Sequence, residues 1–276
     1  MSHTSDAFAL FRPGRKGMGI WRVAAVLALV LLLVLLGLPL LSLLLQVPPG
    51  ELLARMGAPV VMTALRLSLI TSVISAFAVV ALGLPVALLL AARKFPGKRV
   101  LEVVINLPMV LPPTVAGLGL LLAFGRSGLV GRVLAFAGIS IPFTTVAVVL
   151  AQTFVAAPFF INTARAGFES IEPRYLQAAA TLRASPVYAF FHVVLPLSFH
   201  SLVAGAAMSW ARALGEFGAT ITFAGNMPGR TQTMPLAVYI ALQTDVQSAV
   251  ALSVILLAVS FGLLFVLRTM VVNPGK

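Results

Sequence analysis

The sequence of 276 residues contains no cysteine and little charge of either sign. The absence of cysteine excludes disulfides and thiolate chemistry. Asp, Glu, Lys and Arg together make up 9% of the chain, whereas soluble domains carry roughly 25%. Hydrophobic residues make up 60% of it. This composition excludes an ordinary soluble domain and indicates a polytopic membrane protein.

Signatures of catalysis are missing as well. The histidines His3, His192 and His200 form no cluster with carboxylates at the spacing of metal ligands. The sequence also lacks the G-x-x-x-x-G-K-[ST] loop that cradles nucleotide phosphates. We therefore expect a chain that is not an enzyme, with no catalytic residue, no metal site and no cofactor of its own.

Six apolar segments come close to or exceed the length of about 20 residues that crosses a bilayer. They cover residues 22–46, 60–92, 100–124, 143–163, 193–224 and 246–268. The first is too long for the core of a cleaved signal and has no small-residue cleavage site after it, so we expect it to be retained. The predicted fold class is all-α, with six transmembrane helices between tails at 1–21 and 269–276.

The basic residues are distributed unevenly over the connections between these segments. Thirteen of the 19 Lys and Arg lie in the second and fourth connections or in the two tails, counting with the tails Arg22 and Arg268 at the adjoining ends of the first and last segments. Four lie in the other connections, and Arg66 and Arg212 lie within apolar segments. Positive charge accumulates in cytoplasmic loops, which predicts that both termini are cytoplasmic. The net charge of +12 is thereby explained without a nucleic-acid partner.

The fourth connection, about residues 169–192, is predicted to be cytoplasmic and to contain a short helix. Pro173 suits the first helical position, and Glu172 before it favours the positive helix end. Ser185 and Pro186 are typical of the start of a second helix.

The first of these helices has a mostly apolar face, because several of its side chains recur at helical spacing. They are Tyr175, Leu176, Ala179 and Leu182. A short displayed helix of this kind can dock in the groove of a partner protein. It can also lie on lipid headgroups, and the residues alone leave both interpretations open.

This connection resembles the signature loop of the membrane subunits of ABC importers, which runs Glu-Ala-Ala, then Gly, then a hydrophobic-x-Leu-Pro ending. Gln177-Ala178-Ala179 occupies the triplet, and VVLP at 193–196 supplies the ending. Gln177 stands where that family has Glu, and Arg183 stands where it has Gly. In the family, the loop is a coupling helix that seats in a cleft of the ATP-hydrolysing subunit. The resemblance implies ATPase coupling by Glu172, Tyr175, Gln177, Ala178, Ala179, Leu182, Arg183, Ser185 and Pro186.

Prolines interrupt the third apolar segment. Pro108, Pro112 and Pro113 each remove a backbone donor. A membrane span tolerates such a break only where protein or a water-filled cavity satisfies the freed carbonyls, and broken spans often line translocation paths. A structural kink is the alternative to a pathway or gate. The expected pathway residues are Asn106, Pro112, Pro113 and Thr114.

The fifth apolar segment contains an arginine and a carboxylate. Arg212 and Glu216 are four residues apart, so they share a helix face and can pair. Ionisable groups within a membrane usually face a bundle interior or a cavity. A structural ion pair is one interpretation, and a place near the gate together with Thr220 is the other.

The fifth connection is predicted to be external and is rich in hydrogen-bond donors. Arg230, Thr231, Gln232 and Thr233 can offer donors to an anion or to a docking protein. A solvated turn is the alternative, because Pro228 and Gly229 beside them are typical turn formers.

Two longer stretches are similar to the permease subunits of molybdate ABC importers. They read INLPMVLPPTVAGLGLLLAFGRSGLVG at 105–131 and ARALGEFGATITFAGNMPGRTQTMPLAVYIALQ at 211–243. Together with the coupling loop, the likeness covers about residues 60–268, predicted as the permease core after a first transmembrane helix at 22–46. Sulfate and tungstate permeases share the general pattern.

The resemblance implies an inner-membrane permease that forms its pathway as a homodimer. It also implies two ATPase subunits that carry ATP and Mg, and an external binding protein that delivers an oxyanion, molybdate in the first place. A stand-alone secondary carrier belongs to a different class. It would need a chain of ionisable residues within the membrane, which only Arg212 and Glu216 approach.

Overall fold

The computed structural model describes residues 17–46, 48, 50, 57–92 and 95–272. These ranges are helical, and no strand occurs within them. Residues 1–16 and 273–276, which hold most of the first predicted tail and half of the second, lie outside the described residues. The chain divides into two compact units, Met1–Glu51 and Leu52–Lys276.

The described part of the first unit is one long helix, α1 (Gly17–Gln46), of 30 residues. It begins five residues before the predicted span at 22–46. Its side chains from Trp21 to Gln46 are exposed or partly exposed, and the helix is long and apolar enough to cross a membrane. A helix that is apolar on all sides is suited to contact with lipid along its whole circumference.

The second unit begins with a helix of 34 residues and continues through shorter ones. Its helices before the predicted coupling loop are α2 (Pro59–Ala92), α3 (Lys98–Val110), α4 (Pro113–Phe124), α5 (Gly131–Phe136) and α6 (Thr145–Glu169). Its later helices are α7 (Pro173–Thr181), α8 (Pro186–Ala189), α9 (Leu195–Leu214), α10 (Gly218–Ala224), α11 (Met234–Thr244) and α12 (Val246–Val272). A π-helical segment, Phe190–Val194, joins α8 to α9.

The number of membrane spans depends on how the third apolar segment is counted. Five described helices are long and apolar enough to cross a membrane, and α3 with α4 makes a sixth if the bent pair is one span. The pair is bent by 117°, because Leu111 and Pro112 between the helices have extended backbone. The predicted interruption of this segment is confirmed.

The fifth segment, predicted as one apolar stretch at 193–224, differs in the structure. The helical span begins earlier, at Pro186, and ends at Leu214. Gly215, Glu216 and Phe217 then separate it from the short helix α10. A break at these residues is not visible in hydropathy, because the chain stays largely apolar on both sides of it.

The core of the second unit is built around α6. One cluster of buried side chains joins α6 to α2 and α9, with Phe160 at its centre. A second joins α6 to α4 and α10 around Phe223. The helices α6 and α9 approach closely, since a Cβ atom added at Gly167 would clash with the Cβ of Ser201. A third cluster joins α2 to α11 and α12 around Met234.

Buried hydroxyl groups form a stripe along α2 with helical spacing. Ser68, Thr71, Ser72 and Ser75 are all 0% exposed. Three of them bond to other elements: Ser68 Oγ accepts from the Met234 amide at 2.7 Å, Ser72 Oγ accepts from Trp210 Nε1 at 2.9 Å, and Ser75 Oγ lies 3.0 Å from Gln152 Oε1. Such polar contacts hold apolar helices together in a membrane, where the hydrophobic effect provides no driving force for the association of helices.

Candidate functional sites

The short helix α7 lies where the sequence predicts it, at the end of α6 that carries Glu169. Pro173 occupies the first helical position, after Glu172 with extended backbone. Arg174 forms an ion pair with Glu172 at 2.7 Å and stacks its guanidinium over the Tyr175 ring. The predicted start of the helix is confirmed, and its first turn is fixed by local contacts.

The end of α7 is a Schellman motif with an arginine in the left-handed position. Arg183 has φ 57°. Its amide donates to the Ala180 carbonyl at 2.9 Å, and the Ala184 amide donates to the Ala179 carbonyl at 3.0 Å. Glycine is the usual residue at this position of the motif. The place where the related signature loop has glycine is therefore one where the backbone favours glycine.

The second helix of the loop begins as predicted. The Ser185 hydroxyl accepts from the Tyr188 amide at 3.2 Å, and Pro186 is the first helical residue. The Tyr188 and His192 rings stack with centroids 3.9 Å apart. Both contacts lie within the second helix and its π-helical continuation, so they fix the start of that helix locally.

The predicted apolar face of α7 is divided in two by its surroundings. Ala179 is 8% exposed and faces the rest of the chain, whereas Leu182 is 82% exposed and Leu176 is 44% exposed. Gln177 and Ala178 are also exposed. A cavity of about 660 Å³ between α7 and α8 is lined by Tyr175, Ala178 and Leu182, among others. Leu182, the residue that directly follows α7, is the large apolar side chain here that is most available to a partner.

A second site is the place where two helix breaks pack against each other. The break at Pro112–Pro113 starts α4, and the break at Gly215–Phe217 starts α10. A Cβ atom at Gly218 would lie 2.6 Å from the Cβ of Pro113. A Cβ atom at Gly117 would lie 2.7 Å from the Ala219 carbonyl oxygen. Only glycine allows this approach, so α4 and α10 meet with almost no space between their backbones.

The predicted pair of Arg212 and Glu216 forms at this second break. Glu216 is 1% exposed, and one of its carboxylate oxygens lies 2.8 Å from Arg212 Nη1. The other accepts from the Ala219 amide at 2.8 Å. The carboxylate therefore satisfies a free amide at the start of α10, where the positive end of a helix favours an anion. Thr220 is fully buried, and its hydroxyl has no hydrogen-bond partner among the described residues.

The other residues predicted for a pathway lie on both sides of the first break. Pro112, Pro113 and Thr114 are exposed. Asn106 lies farther along α3, where its side chain donates to the Glu102 carbonyl and accepts from Asn162 of α6 at 2.6 Å. The structure thus brings Pro113 beside the second break but places Asn106 in a contact between α3 and α6.

That contact continues at the end of α6 next to α7. Glu102 of α3 pairs with Arg165 of α6 at 2.9 Å, and Arg165 also pairs with Glu169 at 2.7 Å. No residue of α3 is fully buried, and these polar bridges add to the packing of its partly buried Leu101 and Ile105 against the core cluster. This network is not among the predictions from the sequence, although Glu102 and Asn106 have the i, i+4 spacing that places two polar groups on one helix face.

The donor-rich fifth connection differs from its prediction. Thr231 and Thr233 are 0% exposed and Gln232 is 7% exposed, so they lie in the interior rather than in an exposed loop. The Thr231 hydroxyl accepts from the Met227 amide. The chain turns inward here because α11 starts in the interior, where Met234 is 0% exposed. Arg230 alone of the four predicted residues is exposed.

These features define a class of protein: a bundle of membrane-crossing helices with packed helix breaks and a capped helix displayed at one end, as expected of a membrane transport component. The family comparison is in agreement. The model of the binding-protein-dependent transport system inner membrane component matches residues 83–275. The chain belongs to this family, and it is an inner-membrane permease subunit of an ABC transporter rather than an enzyme.

Curated relatives cover most of the chain. It is 44% identical over 228 residues to the molybdenum transport system permease protein ModB of Mycobacterium tuberculosis, which covers 83% of this chain and 86% of that protein. It is 40% identical over 182 residues to ModB of Escherichia coli, covering 66% and 80%. The sulfate transport system permease protein CysT of Salmonella typhimurium is 35% identical over 219 residues, covering 79% of each.

Solved structures share the fold. A bacterial ABC transporter involved in the import of the acidic polysaccharide alginate superposes with a TM-score of 0.74 at 15% identity, covering 93% of this chain and 96% of that one. The MetNI methionine ABC transporter, in an inward-facing conformation, gives 0.62 at 19% identity, covering 79% and 97%. At these identities the likeness concerns the fold alone, which is that of an ABC importer permease.

Proposed function

We propose that the chain is the permease of an ATP-driven importer of molybdate. The choice of molybdate as the substrate rests on the order of sequence similarity among the relatives of the chain. Identity is 44% over 228 residues to a molybdenum permease and 35% over 219 residues to a sulfate permease. Molybdate and sulfate are both tetrahedral oxyanions, so the difference concerns which anion the system serves and leaves the transport class the same.

The proposal includes an orientation with α7 and both termini in the cytoplasm. Described basic residues at the α7 end, which support it, are Lys98, Arg99, Arg165, Arg174 and Arg183. The opposite end, at the start of α6, has Arg126, Arg132 and Arg230. This asymmetry, with the basic tail residues of the sequence, favours the α7 end as the cytoplasmic one.

In this orientation α7 is a coupling helix that docks on an ATPase subunit. The apolar side chain of Leu182 is 82% exposed, and covering it in a partner's cleft would remove a large apolar surface from water. The partner ATPase carries the ATP and Mg, because this sequence has no phosphate-binding loop. Two ATPase subunits then serve two permease copies.

Leu182→Asp should therefore abolish co-purification with the ATPase. Burying an unpaired carboxylate in an apolar cleft is costly, so we expect at least a tenfold loss of recovered ATPase activity, a loss of about 1.4 kcal/mol or more. Phe136→Asp is the matched control, since Phe136 is 94% exposed but lies in α5, away from α7. Full recovery of the ATPase with Leu182→Asp would contradict the docking role.

The translocation pathway forms between two copies of the chain. The sequence contains no internal repeat, whereas many transporters place their substrate path between two similar halves. A homodimer supplies the second half. The packed breaks at Pro112–Pro113 and Gly215–Phe217 are the proposed gate, because a few residues at the ends of helices can act as hinges between the helices on either side.

Cellular molybdenum, measured by elemental mass spectrometry, tests the substrate. A deletion strain grown at scarce molybdate should contain at least tenfold less molybdenum than its parent, and the restored gene should correct this in the presence of excess sulfate. If excess sulfate abolishes the uptake of molybdenum, the substrate is sulfate rather than molybdate. An unchanged molybdenum content in the deletion strain would contradict the import of molybdate by this permease. Tungstate is the next anion to test as a competitor.

A further inference from the structure

A cavity at the end of the bundle opposite α7 is not used by the proposed gate or by coupling. It has a volume of about 470 Å³ and lies between the α4–α5 connection, the segment before α6, and the α10–α11 connection. Leu121, Phe143 and Met227 contribute apolar walls, and Arg126 and Arg230 line it from two different connections. We call this cavity the arginine socket.

The surroundings of the arginine socket carry charge of one sign. Residues 125–144 and 225–233 contain three arginines and no acidic residue. Arg126 and Arg230 are exposed, and neither forms an ion pair with another described residue. Arg132 lies nearby but donates to the Ser127 carbonyl at 3.0 Å. Two arginines are thus available to an acidic ligand.

The walls of the socket are held in place by contacts between the connections. The Thr145 hydroxyl donates to the Arg230 carbonyl at 2.9 Å, which ties the α10–α11 connection to the start of α6. Phe143 has φ 62°, a left-handed conformation that is strained for an aromatic residue. Its ring packs against the position of Gly225, where an added Cβ would lie 3.0 Å away. Such a preformed shape lowers the entropy cost of binding.

The size of the socket decides what kind of acidic ligand suits it. Cavities of about 300–1,000 Å³ accommodate ligands of drug size, so 470 Å³ is more than a tetrahedral oxyanion fills. Its mostly apolar walls also suit a side-chain cluster better than a hydrated ion. A protein loop tip that presents a carboxylate beside apolar side chains matches both the volume and the charge.

We infer that the arginine socket receives an acidic loop of the external binding protein, with Arg126 and Arg230 on either side of its carboxylates. This inference rests on the proposed function and orientation, which put the socket outside the cell. Complementary charge at such a contact steers the encounter and sets the salt dependence of binding. The two arginines therefore govern how fast the loaded binding protein docks.

The test is direct binding to the transporter complex in lipid nanodiscs. The probe is the molybdate-loaded binding protein purified from the same organism. Arg126→Glu combined with Arg230→Glu should raise the Kd about tenfold, mainly through slower association, and flatten its dependence on ionic strength. Arg132→Glu, at the same end but outside the socket, should leave Kd within about twofold. Co-purification of the ATPase with each variant verifies that the permease has assembled.

The outcomes separate the socket from the proposed function. If wild-type cells import molybdate but the double variant binds the probe with unchanged Kd and salt dependence, the socket assignment is wrong and the proposed function stands. An equal effect of Arg132→Glu would also overturn it, because general surface charge would then explain the binding. If the wild-type complex binds free molybdate saturably and only the double variant loses this binding, the ligand of the socket is the anion and the assignment to a protein loop is wrong. If wild-type cells import no molybdate, both proposals fail.

Discussion

At the scale of single residues, Arg183 shows what a departure from a family pattern costs the backbone. Its φ of 57° lies in the region that costs an ordinary L-residue about 1–2 kcal/mol. Its side chain is exposed, and the structure shows no ion pair for it among the described residues. The arginine therefore adds strain at the end of α7 without a compensating contact there.

Arg183→Gly should relieve that strain and make the end of α7 more stable. A gain of about 1 kcal/mol corresponds to roughly fivefold slower hydrogen exchange of the amides that close the helix, those of Leu182 and Ala184. Thr181→Gly is the control, because glycine inside a helix costs about 0.5–1 kcal/mol and should speed the same exchange. Faster exchange in Arg183→Gly would show that the arginine side chain stabilises the loop.

Both carboxylate oxygens of Glu216 are occupied by neighbouring groups. The sequence predicts its pairing with Arg212 from their spacing, and the structure confirms the contact at 2.8 Å. The bond from the Ala219 amide to the other carboxylate oxygen could not be predicted, since it exists only because the helix breaks between Leu214 and Gly218. Arg212 balances the charge of the carboxylate, and the Ala219 amide occupies its other oxygen, so the pair has no net charge with which to attract a cation.

At the scale of helices and connections, prediction succeeded where local chemistry decides. Pro173, Ser185 and Pro186 fix the starts of α7 and α8 through capping, and Pro112–Pro113 fixes the break before α4. It failed where distant residues decide. Thr231–Thr233 looked like an exposed loop because nothing nearby in sequence shows that the Met234 amide bonds to Ser68, 166 residues earlier.

The hydroxyl stripe of α2 was also missed, although Ser68, Thr71, Ser72 and Ser75 follow the i, i+3, i+4, i+7 spacing of one helix face. An apolar span with polar residues at that spacing predicts a face turned to other helices rather than to lipid. Which helices it contacts could not be read from the pattern, because Trp210 and Gln152 come from α9 and α6.

The contact between α4 and α10 supplies a prediction at this scale. Gly117→Ala should lower the thermal midpoint and impair transport, because the new methyl would meet the Ala219 carbonyl oxygen at 2.7 Å. Overpacking of this kind costs about 1–3 kcal/mol. Gly119→Ala is matched, on the same helix with nothing within 4 Å of its new Cβ, and should be neutral or stabilising. Equal effects of the two substitutions would mean that α4 and α10 do not pack closely.

At the scale of the whole molecule, the two ends of α6 have different chemistry. One end carries α7 and the Glu102–Arg165–Glu169 network, and the other carries the arginine socket. A helix of 25 residues separates them by about 36 Å, which is close to the thickness of a bilayer with part of its headgroup layers. The proposed coupling helix, gate and socket thus lie at successive depths along one helix bundle.

The absence of cysteine makes this arrangement directly testable, because a thiol introduced by substitution is then the only thiol in the chain that a labelling reagent can react with. Ser170→Cys lies at the α7 end and Ser127→Cys at the socket end, and both serines are exposed. In spheroplasts, a membrane-impermeant maleimide should label Ser127→Cys at once and Ser170→Cys at least tenfold less until the cells are lysed. The wild-type chain should stay unlabelled throughout. The reverse pattern would place α7 outside the cell, where no ATPase could reach it, and would overturn coupling and socket together.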